Sequence, residues 1–206
     1  MSLAERSGLS LDGRVAWAIV GLWLALPSLM LWPERRLALQ VLGWSAAAPW
    51  SEPWRWWSAA WPHLNAMHLG ANLAGCVVVM ALGWVADLPR RAAWAWLLAW
   101  PLTHLALAGQ AGLSLYGGMS GVLHAGVAVA ACAVLLRGQR GETSIAAAVL
   151  AGLAIKLALE WWAVPASPGA LTHPPGWAMA VVPRAHLAGA LAGLACCLAL
   201  CRRGRG

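Results

Sequence analysis

The sequence predicts an all-α membrane protein of six transmembrane helices with a long first loop on the outer side. Of its 206 residues, 61% are apolar and 10% are charged, against about 45–50% and about 25% in ordinary soluble domains. The charged residues also leave long gaps, at 15–33, 56–86, 92–136 and 185–201. Because a crossing needs about 20 mostly apolar residues, we expect one membrane domain over residues 1–206.

Turn signals divide these gaps into individual helices. The run 92–136 is 45 residues long and is interrupted by the turn-rich segment GQAGLSLYGG, so it predicts two helices. The first run follows basic residues, as in a signal peptide, but it has the length of a span and no clear small-residue cleavage site follows it. The predicted helices cover about 15–32, 64–86, 92–112, 119–136, 143–163 and 184–201.

The arginines predict the orientation. With a cytoplasmic N-terminus and six helices, nine arginines lie on the cytoplasmic side and four on the outer side, as the positive-inside rule requires. Both termini are then cytoplasmic, and the loop 33–63, rich in Trp and Pro, lies outside at the level of the lipid headgroups. The net charge of +7 comes mainly from arginines that flank apolar runs, so the expected partner is the lipid bilayer and not nucleic acid.

Polar side chains inside spans are costly and need an explanation. The second, fourth and sixth predicted helices all run from outside to inside, and each begins with polar residues: His68 and Asn72, Ser120, and His186. A helix rises about 1.5 Å per residue, so these groups share one depth near the outer face. This convergence predicts a functional site.

The residue types in this set suit acyl transfer. A serine hydroxyl is a weak nucleophile unless a base accepts its proton, and His186 is the candidate base for Ser120. The reaction also needs donors aimed at the developing oxyanion. His68 and Asn72 lie four residues apart on one helix face, and the Ser120 amide at a helix start has no partner within its helix.

Glycines surround both candidate residues. Gly118 and Gly121 flank the serine and leave room for the backbone of a substrate. Gly189 and Gly193 follow His186 at i+3 and i+7, and such a GxxxG pair allows close helix packing in membranes. These four glycines are therefore expected to support the site.

The motifs HLGAN, GMSG and HLAGALAG, in this order and on these helices, resemble those of the rhomboid intramembrane serine proteases. The resemblance covers about residues 50–205 and extends to Trp54, Arg55 and His63, which resemble structural residues of that family's first loop. It implies a rhomboid-like fold in which the predicted serine and histidine are the nucleophile and general base. It further implies that the oxyanion hole consists of His68, Asn72 and the amide of the serine.

A second resemblance concerns the rhombosortase branch. Most rhomboids carry a Tyr one turn after the serine that stacks on the catalytic histidine; that place is taken here by His124. GxSGxLH and the compact six-helix chain look more like rhombosortases. This implies a bacterial inner-membrane enzyme whose site opens to the periplasm. Its partners would be secreted proteins that carry a C-terminal Gly-Gly-type tag with a hydrophobic helix and a basic tail.

Other ionisable residues lead to weaker expectations. No carboxylate is expected to orient His186, so the predicted machinery is a Ser–His dyad without metal or cofactor. Lys156 and Glu160 are four residues apart and predict an intramembrane ion pair; the alternative is that Glu160 orients a site residue or binds a basic tail. His104 predicts a packing or hydrogen-bonding residue, and the Pro-rich loop around His173 a cap over the site.

Other functions are consistent with parts of the sequence. An inactive rhomboid-like recognition protein would share the motifs. A proton-coupled transporter would distribute its polar groups through the bilayer and carry an internal repeat, and no clear repeat is visible. A haem protein would use paired histidines among His104, His124 and His186 as axial ligands.

Overall fold

A computed structural model describes residues 12–45, 48–110, 113–162 and 181–202. The chain is mostly helical, with 73% of these residues in helices. The predicted cap around His173 falls outside the described residues. The elements in chain order are α1 (Gly13–Met30), α2 (Arg35–Leu42), β1 (Trp44–Ser45), α3 (Arg55–Ser58), α4 (Ala66–Val85), α5 (Arg90–Leu105), β2 (Leu115–Tyr116), α6 (Ser120–Arg137), α7 (Glu142–Trp162) and α8 (Pro183–Cys201).

Five helices, α1, α4, α6, α7 and α8, are long and apolar enough to cross a membrane. Their ends lie within about two residues of the predicted limits. An all-α membrane protein is therefore the architecture that the structure supports. The agreement has a physical reason, because spans are bounded by charged and turn-forming residues that the sequence shows directly.

Helix α5 differs from its prediction. The expected span was 92–112, whereas the helix ends at Leu105, and Gly109 already has a φ of +72° in the turn that follows. Apolar residues continue past the end of the helix, and apolar content alone does not separate a buried turn from a helix. With 16 residues, α5 is about 24 Å long, shorter than a hydrocarbon core of about 30 Å.

Helix α6 forms the centre of the bundle and packs against α4, α5, α7 and α8. Its sequence is rich in Ala and Gly, which allows neighbouring backbones to approach closely. Helix α8 packs mainly against α6 and α5. Helix α7 is the least enclosed: the single residue of α7 that is buried in the described part of the chain is Ala146, near its beginning.

Tryptophans fill much of the core and also satisfy backbone carbonyls. Trp17 and Trp96 lie with ring centroids 4.5 Å apart, and their indole N–H groups donate to the carbonyls of Val79 and Val122 at 2.9 and 2.8 Å. A buried indole needs such an acceptor. These bonds join α1 to α4 and α5 to α6.

The first loop is more ordered than the sequence indicates. It contains α2, β1 and α3, and β1 pairs antiparallel with β2 through Trp44 opposite Tyr116 and Ser45 opposite Leu115. Two-residue strands carry no periodicity, so this pairing was not predicted. It ties the first loop to the segment directly before α6.

Charged contacts cluster at the end of the bundle that holds the start of α1 and the ends of α4 and α6. Arg14, at the start of α1, pairs with Asp87 after α4 at 3.3 Å. Arg137, at the end of α6, donates to the Ala86 carbonyl at 2.7 Å and pairs with Glu142 of α7 at 3.0 Å. The other end of the bundle therefore holds the beginnings of α4, α6 and α8, where the predicted site residues lie.

Candidate active site

The candidate nucleophile and base are in contact. Ser120 is the first residue of α6, and its Oγ lies 2.9 Å from Nε2 of His186, which is in the first turn of α8. Ser120 is half-buried, whereas His186 is buried. The contact that the sequence predicted, over 66 residues of separation, is confirmed. A serine–imidazole pair at this distance has the geometry for proton transfer from the hydroxyl.

His124, one turn after the serine, stacks on His186. The ring centroids are 4.2 Å apart and the planes differ by 13°. Nδ1 of His124 donates to the Ser120 carbonyl at 2.7 Å, which fixes the orientation of its ring. The stack holds one face of His186 and leaves both of its nitrogens free for in-plane bonds.

The expectation that no carboxylate orients His186 is wrong. Nδ1 of His186 lies 2.9 Å from Oε2 of Glu160. The predicted ion pair is also present, because Nζ of Lys156 lies 2.6 Å from the other carboxylate oxygen, Oε1. Glu160 is 18 residues after the start of α7, or about 27 Å along it, which brings it to the level of His186. The rotation of α7 that turns it inward is not visible in sequence.

His68 and Asn72 lie beside the turn that precedes the serine. Both side chains are buried on α4, and a Cβ placed on Gly118 would lie 2.6 Å from His68 Nε2 and 3.6 Å from Asn72 Nδ2. Gly118 has a φ of +123°, which favours glycine. Asn72 Nδ2 and His68 Nδ1 are buried and make no hydrogen bond to the described residues. The amide donor of Asn72, left unpaired in this way beside Gly118, is available to an oxyanion.

Tyr116 lies beside the candidate site and was not predicted from the sequence. It is the single tyrosine of the chain. Its hydroxyl is buried beside the Ser120 side chain and the Gly121 backbone, without a hydrogen bond of normal geometry to the described residues. Burial raises the pKa of Tyr116 to about 12, so the hydroxyl stays protonated. Its position four residues before the candidate serine was the available signal, but β2 was not predicted.

Three of the predicted supporting glycines, Gly121, Gly189 and Gly193, lie at the contact between α6 and α8. A Cβ on Gly189 would clash with the Gly121 carbonyl oxygen, and one on Gly193 would press on the backbone of Ala125. Gly121 in turn lies against the Ala185 carbonyl, next to His186. Because Gly121, Gly189 and Gly193 have no side chain, the backbones of α6 and α8 can touch. This close approach brings Ser120 within reach of His186.

Of the three predicted first-loop residues, Arg55 and His63 make polar contacts within the fold, and Trp54 is exposed. Arg55 binds the carbonyls of Gln40 and Gly43 and pairs with Glu52 at 2.7 Å, so it joins α2 to α3. His63 is buried, donates from Nδ1 to the Trp61 carbonyl at 2.8 Å and contacts the His68 ring; burial lowers the pKa of His63 to about 4. Trp54 is 52% exposed, so it is not part of the packing that holds the first loop.

The histidine cluster is poorly arranged for a metal ion. Ligand atoms of His124, Glu160 and His186 lie within 4.8 Å of one another. However, the lone pairs of two stacked, nearly parallel imidazoles run side by side, whereas a metal needs them to converge at about 2.0–2.1 Å. Both nitrogens of His186 also have other partners.

Haem ligation is equally disfavoured. The stack leaves no space for a macrocycle between His124 and His186. His104 is buried, and its Nδ1 donates to the Trp56 carbonyl at 2.6 Å. His104 is therefore the hydrogen-bonding residue that the sequence indicated.

No protein-family model matches this chain, and a search of curated proteins finds no match. The functional argument accordingly depends on the geometry of the site and on the motifs in the sequence.

Proposed function

We propose that the chain is a rhomboid-type intramembrane serine endopeptidase. The observation that carries this proposal is the 2.9 Å contact between Ser120 Oγ and His186 Nε2. It joins the first turns of two separate helices, at the point where the sequence motifs resemble those of rhomboids. Ser28, a serine inside α1, instead donates to the Leu24 carbonyl of its own helix at 2.8 Å, the usual arrangement of a packing serine in a membrane helix.

The chemistry is acyl transfer on a peptide bond. Ser120 Oγ attacks the carbonyl carbon while His186 Nε2 takes the hydroxyl proton, which gives a tetrahedral oxyanion. His186 returns the proton to the leaving amine as the C–N bond breaks, leaving an acyl-enzyme. Water or another nucleophile, deprotonated by the same imidazole, then attacks the ester. The new C-terminus is released as His186 returns the proton to Ser120 Oγ.

Donors for the oxyanion come from two elements. The amide of Ser120 lies at the N-terminus of α6, and Asn72 Nδ2 and the His68 ring lie across Gly118 from it. Asn72 Nδ2 has no hydrogen-bond partner among the described residues, which supports this role, because an unpaired buried donor otherwise costs about 1–3 kcal/mol. In the acyl-transfer transition state these groups would bind the developing charge.

The depth of the site suits a substrate that contains both water-exposed and membrane-embedded parts. Ser120 begins α6 and His186 is three residues inside α8, about 4.5 Å along the axis. Water therefore reaches the dyad from the end of the bundle. A helical substrate must unwind to present its carbonyl, and glycine in the substrate lowers that cost.

The proposal includes six crossings, with the short α5 as the third. Both termini are then cytoplasmic in a bacterial inner membrane, and the site opens to the periplasm. Polar contacts between Arg14, Asp87 and Arg137 collect at the end opposite to the dyad, which supports this orientation through the positive-inside rule.

Within the family we propose the rhombosortase branch. The motif GxSGxLH, which has His124 at the place of the usual tyrosine, together with AHLAGALAGL, supports this branch. The His124 ring stacks on His186, as the tyrosine of most rhomboids does on the catalytic histidine. The substrates would be secreted proteins with a C-terminal Gly-Gly-type tag, a hydrophobic helix and a basic tail. These substrates are membrane-anchored until cleavage.

The decisive experiment is mass spectrometry of a tagged secreted protein co-expressed with the enzyme. The wild type is expected to release the tag and leave a defined new C-terminus, while Ser120→Ala, at equal protein level, leaves the substrate intact. Ser28→Ala is the matched control, since Ser28 is a buried serine bonded within its own helix. Cleavage by Ser120→Ala at the wild-type rate would refute the proposal.

The two other functions are separated from a protease by one experimental outcome and one structural observation. An inactive recognition protein would bind the tagged substrate without cleaving it. A proton-coupled transporter would need polar groups spread through the bilayer, whereas the candidate residues described here lie at one end of the bundle.

A further inference from the structure

The third partner of the candidate dyad lies on α7. Oε2 of Glu160 accepts a hydrogen bond from Nδ1–H of His186 at 2.9 Å, on the side of the ring opposite to Ser120. We propose that Glu160 is a positioning residue that makes the machinery a Ser–His–Glu triad, an inference that rests on the proposed protease function. It acts through His186 and does not itself touch the substrate.

The bond fixes which imidazole nitrogen carries the proton. An ionised carboxylate only accepts hydrogen bonds, so Nδ1 of His186 must be protonated to reach Glu160. In the neutral ring Nε2 then carries the lone pair, and it faces Ser120 Oγ. This is the tautomer that a general base needs, and the partner on the other nitrogen selects it.

The same carboxylate stabilises the intermediate state. When His186 takes the serine proton it becomes a cation within a buried cluster. An adjacent anion offsets the desolvation of this imidazolium, as the aspartate does in serine-protease triads. His124 cannot replace it, because its Nδ1 donates to the Ser120 carbonyl and its ring lies over the face of His186.

Lys156 holds the carboxylate in place. Its Nζ contacts the second oxygen of Glu160 at 2.6 Å, one helical turn away on α7. Glu160 is thus bound at both oxygens, which restricts its rotamer, and the ion pair lowers the cost of a charge at this depth. Lys156, Glu160, His186 and Ser120 form a continuous chain of contacts across α7, α8 and α6.

The test compares Glu160→Ala, Glu160→Gln and Glu160→Asp with the wild type in proteoliposomes. Glu142→Gln is the matched control, a glutamate at the far end of the same helix that pairs with Arg137. Cleavage of a tagged substrate gives kcat and KM. The rate at which a fluorophosphonate labels Ser120 reports the reactivity of the hydroxyl without any substrate.

For Glu160→Ala we expect kcat and the labelling rate to fall together about a hundredfold or more, since removing the orienting group of a triad has costs of this order. KM should change less than about threefold. Glu160→Gln has one acceptor oxygen for two donors, and an NH2 group turned toward Nδ1 selects the wrong imidazole tautomer, so it should lose at least as much as Glu160→Ala. Glu160→Asp, which keeps the carboxylate, should retain the most activity. Glu142→Gln should match the wild type in both assays.

A downfield proton resonance of His186 Nδ1–H provides a readout independent of turnover. It should be present in Ser120→Ala, which is inactive by design, and absent in Glu160→Ala. Glu160→Gln keeps the side-chain shape, so it also tests the inference if Glu160→Ala fails to fold.

The two hypotheses fail in distinguishable ways. If the wild type is labelled at Ser120 and Glu160→Gln and Glu160→Ala react within about threefold of it, the triad is refuted and the protease remains. If the wild type neither cleaves a tagged substrate nor reacts with the fluorophosphonate, the protease is refuted, and the triad with it.

Discussion

At the scale of single residues, the site combines a half-buried serine with several buried polar groups whose partners are few. Asn72 exposes 5% of its surface and its Nδ2 bonds to none of the described residues. A membrane helix tolerates such a group when it has a functional use. The unpaired donor Asn72 Nδ2 therefore supports an oxyanion role for this residue more directly than any other single side chain described here.

Asn72 can be tested by two substitutions of different charge. Asn72→Ala removes one donor and should lower kcat about tenfold or more, because removing a single oxyanion donor costs up to about 10²–10³ when no other donor compensates. Asn72→Asp keeps the shape but places an acceptor against the developing charge, so it should lose more. Steady-state cleavage in proteoliposomes measures both. Equal turnover by Asn72→Asp and wild type would contradict the role.

The sequence predicted part of this site. Topology alone brings Ser120, His186, His68 and Asn72 to one depth, because each lies near the outer end of its helix. Glu160 has the same depth but was assigned mainly to Lys156, since depth says nothing about the direction in which a side chain on α7 points. Glu160 makes both contacts at once: one carboxylate oxygen pairs with Lys156 and the other accepts from His186.

At the scale of elements, the contact between α6 and α8 determines whether the dyad forms. Gly189 touches the Gly121 carbonyl closely enough that even a methyl group would clash. The glycine spacing in the sequence predicted this close packing. The end of α5 and the β1–β2 pairing were not predicted, because a buried apolar turn and a two-residue strand leave no periodic signal.

Gly189→Ala should therefore destabilise the bundle and lower activity. Overpacking of a tight core costs about 1–3 kcal/mol, so the unfolding temperature in detergent should fall and cleavage should decline with it. Gly152→Ala on α7 is the control, since a Cβ there meets nothing within 4 Å and alanine favours helix by up to about 1 kcal/mol. Equal unfolding temperatures for the two variants would contradict the packing argument.

At the scale of the whole molecule, the bundle is polarised. One end holds the contacts of Arg14, Asp87, Arg137 and Glu142, and the opposite end holds the dyad. The arginine count gives the same direction, with nine on the predicted inner side and four on the outer side. Orientation in the membrane then decides which compartment supplies water and substrate to the site.

Cysteine labelling in right-side-out vesicles tests this orientation. Ser51, in the first loop, and Gln139, between α6 and α7, are both exposed and lie on opposite sides in the proposed topology. A membrane-impermeant thiol reagent should label Ser51→Cys in intact vesicles and Gln139→Cys only after permeabilisation. The unmodified chain supplies the background, because four of its five cysteines are buried. The reverse pattern would place the dyad on the cytoplasmic side, where secreted substrates do not accumulate, and would remove the basis for a sorting-tag protease.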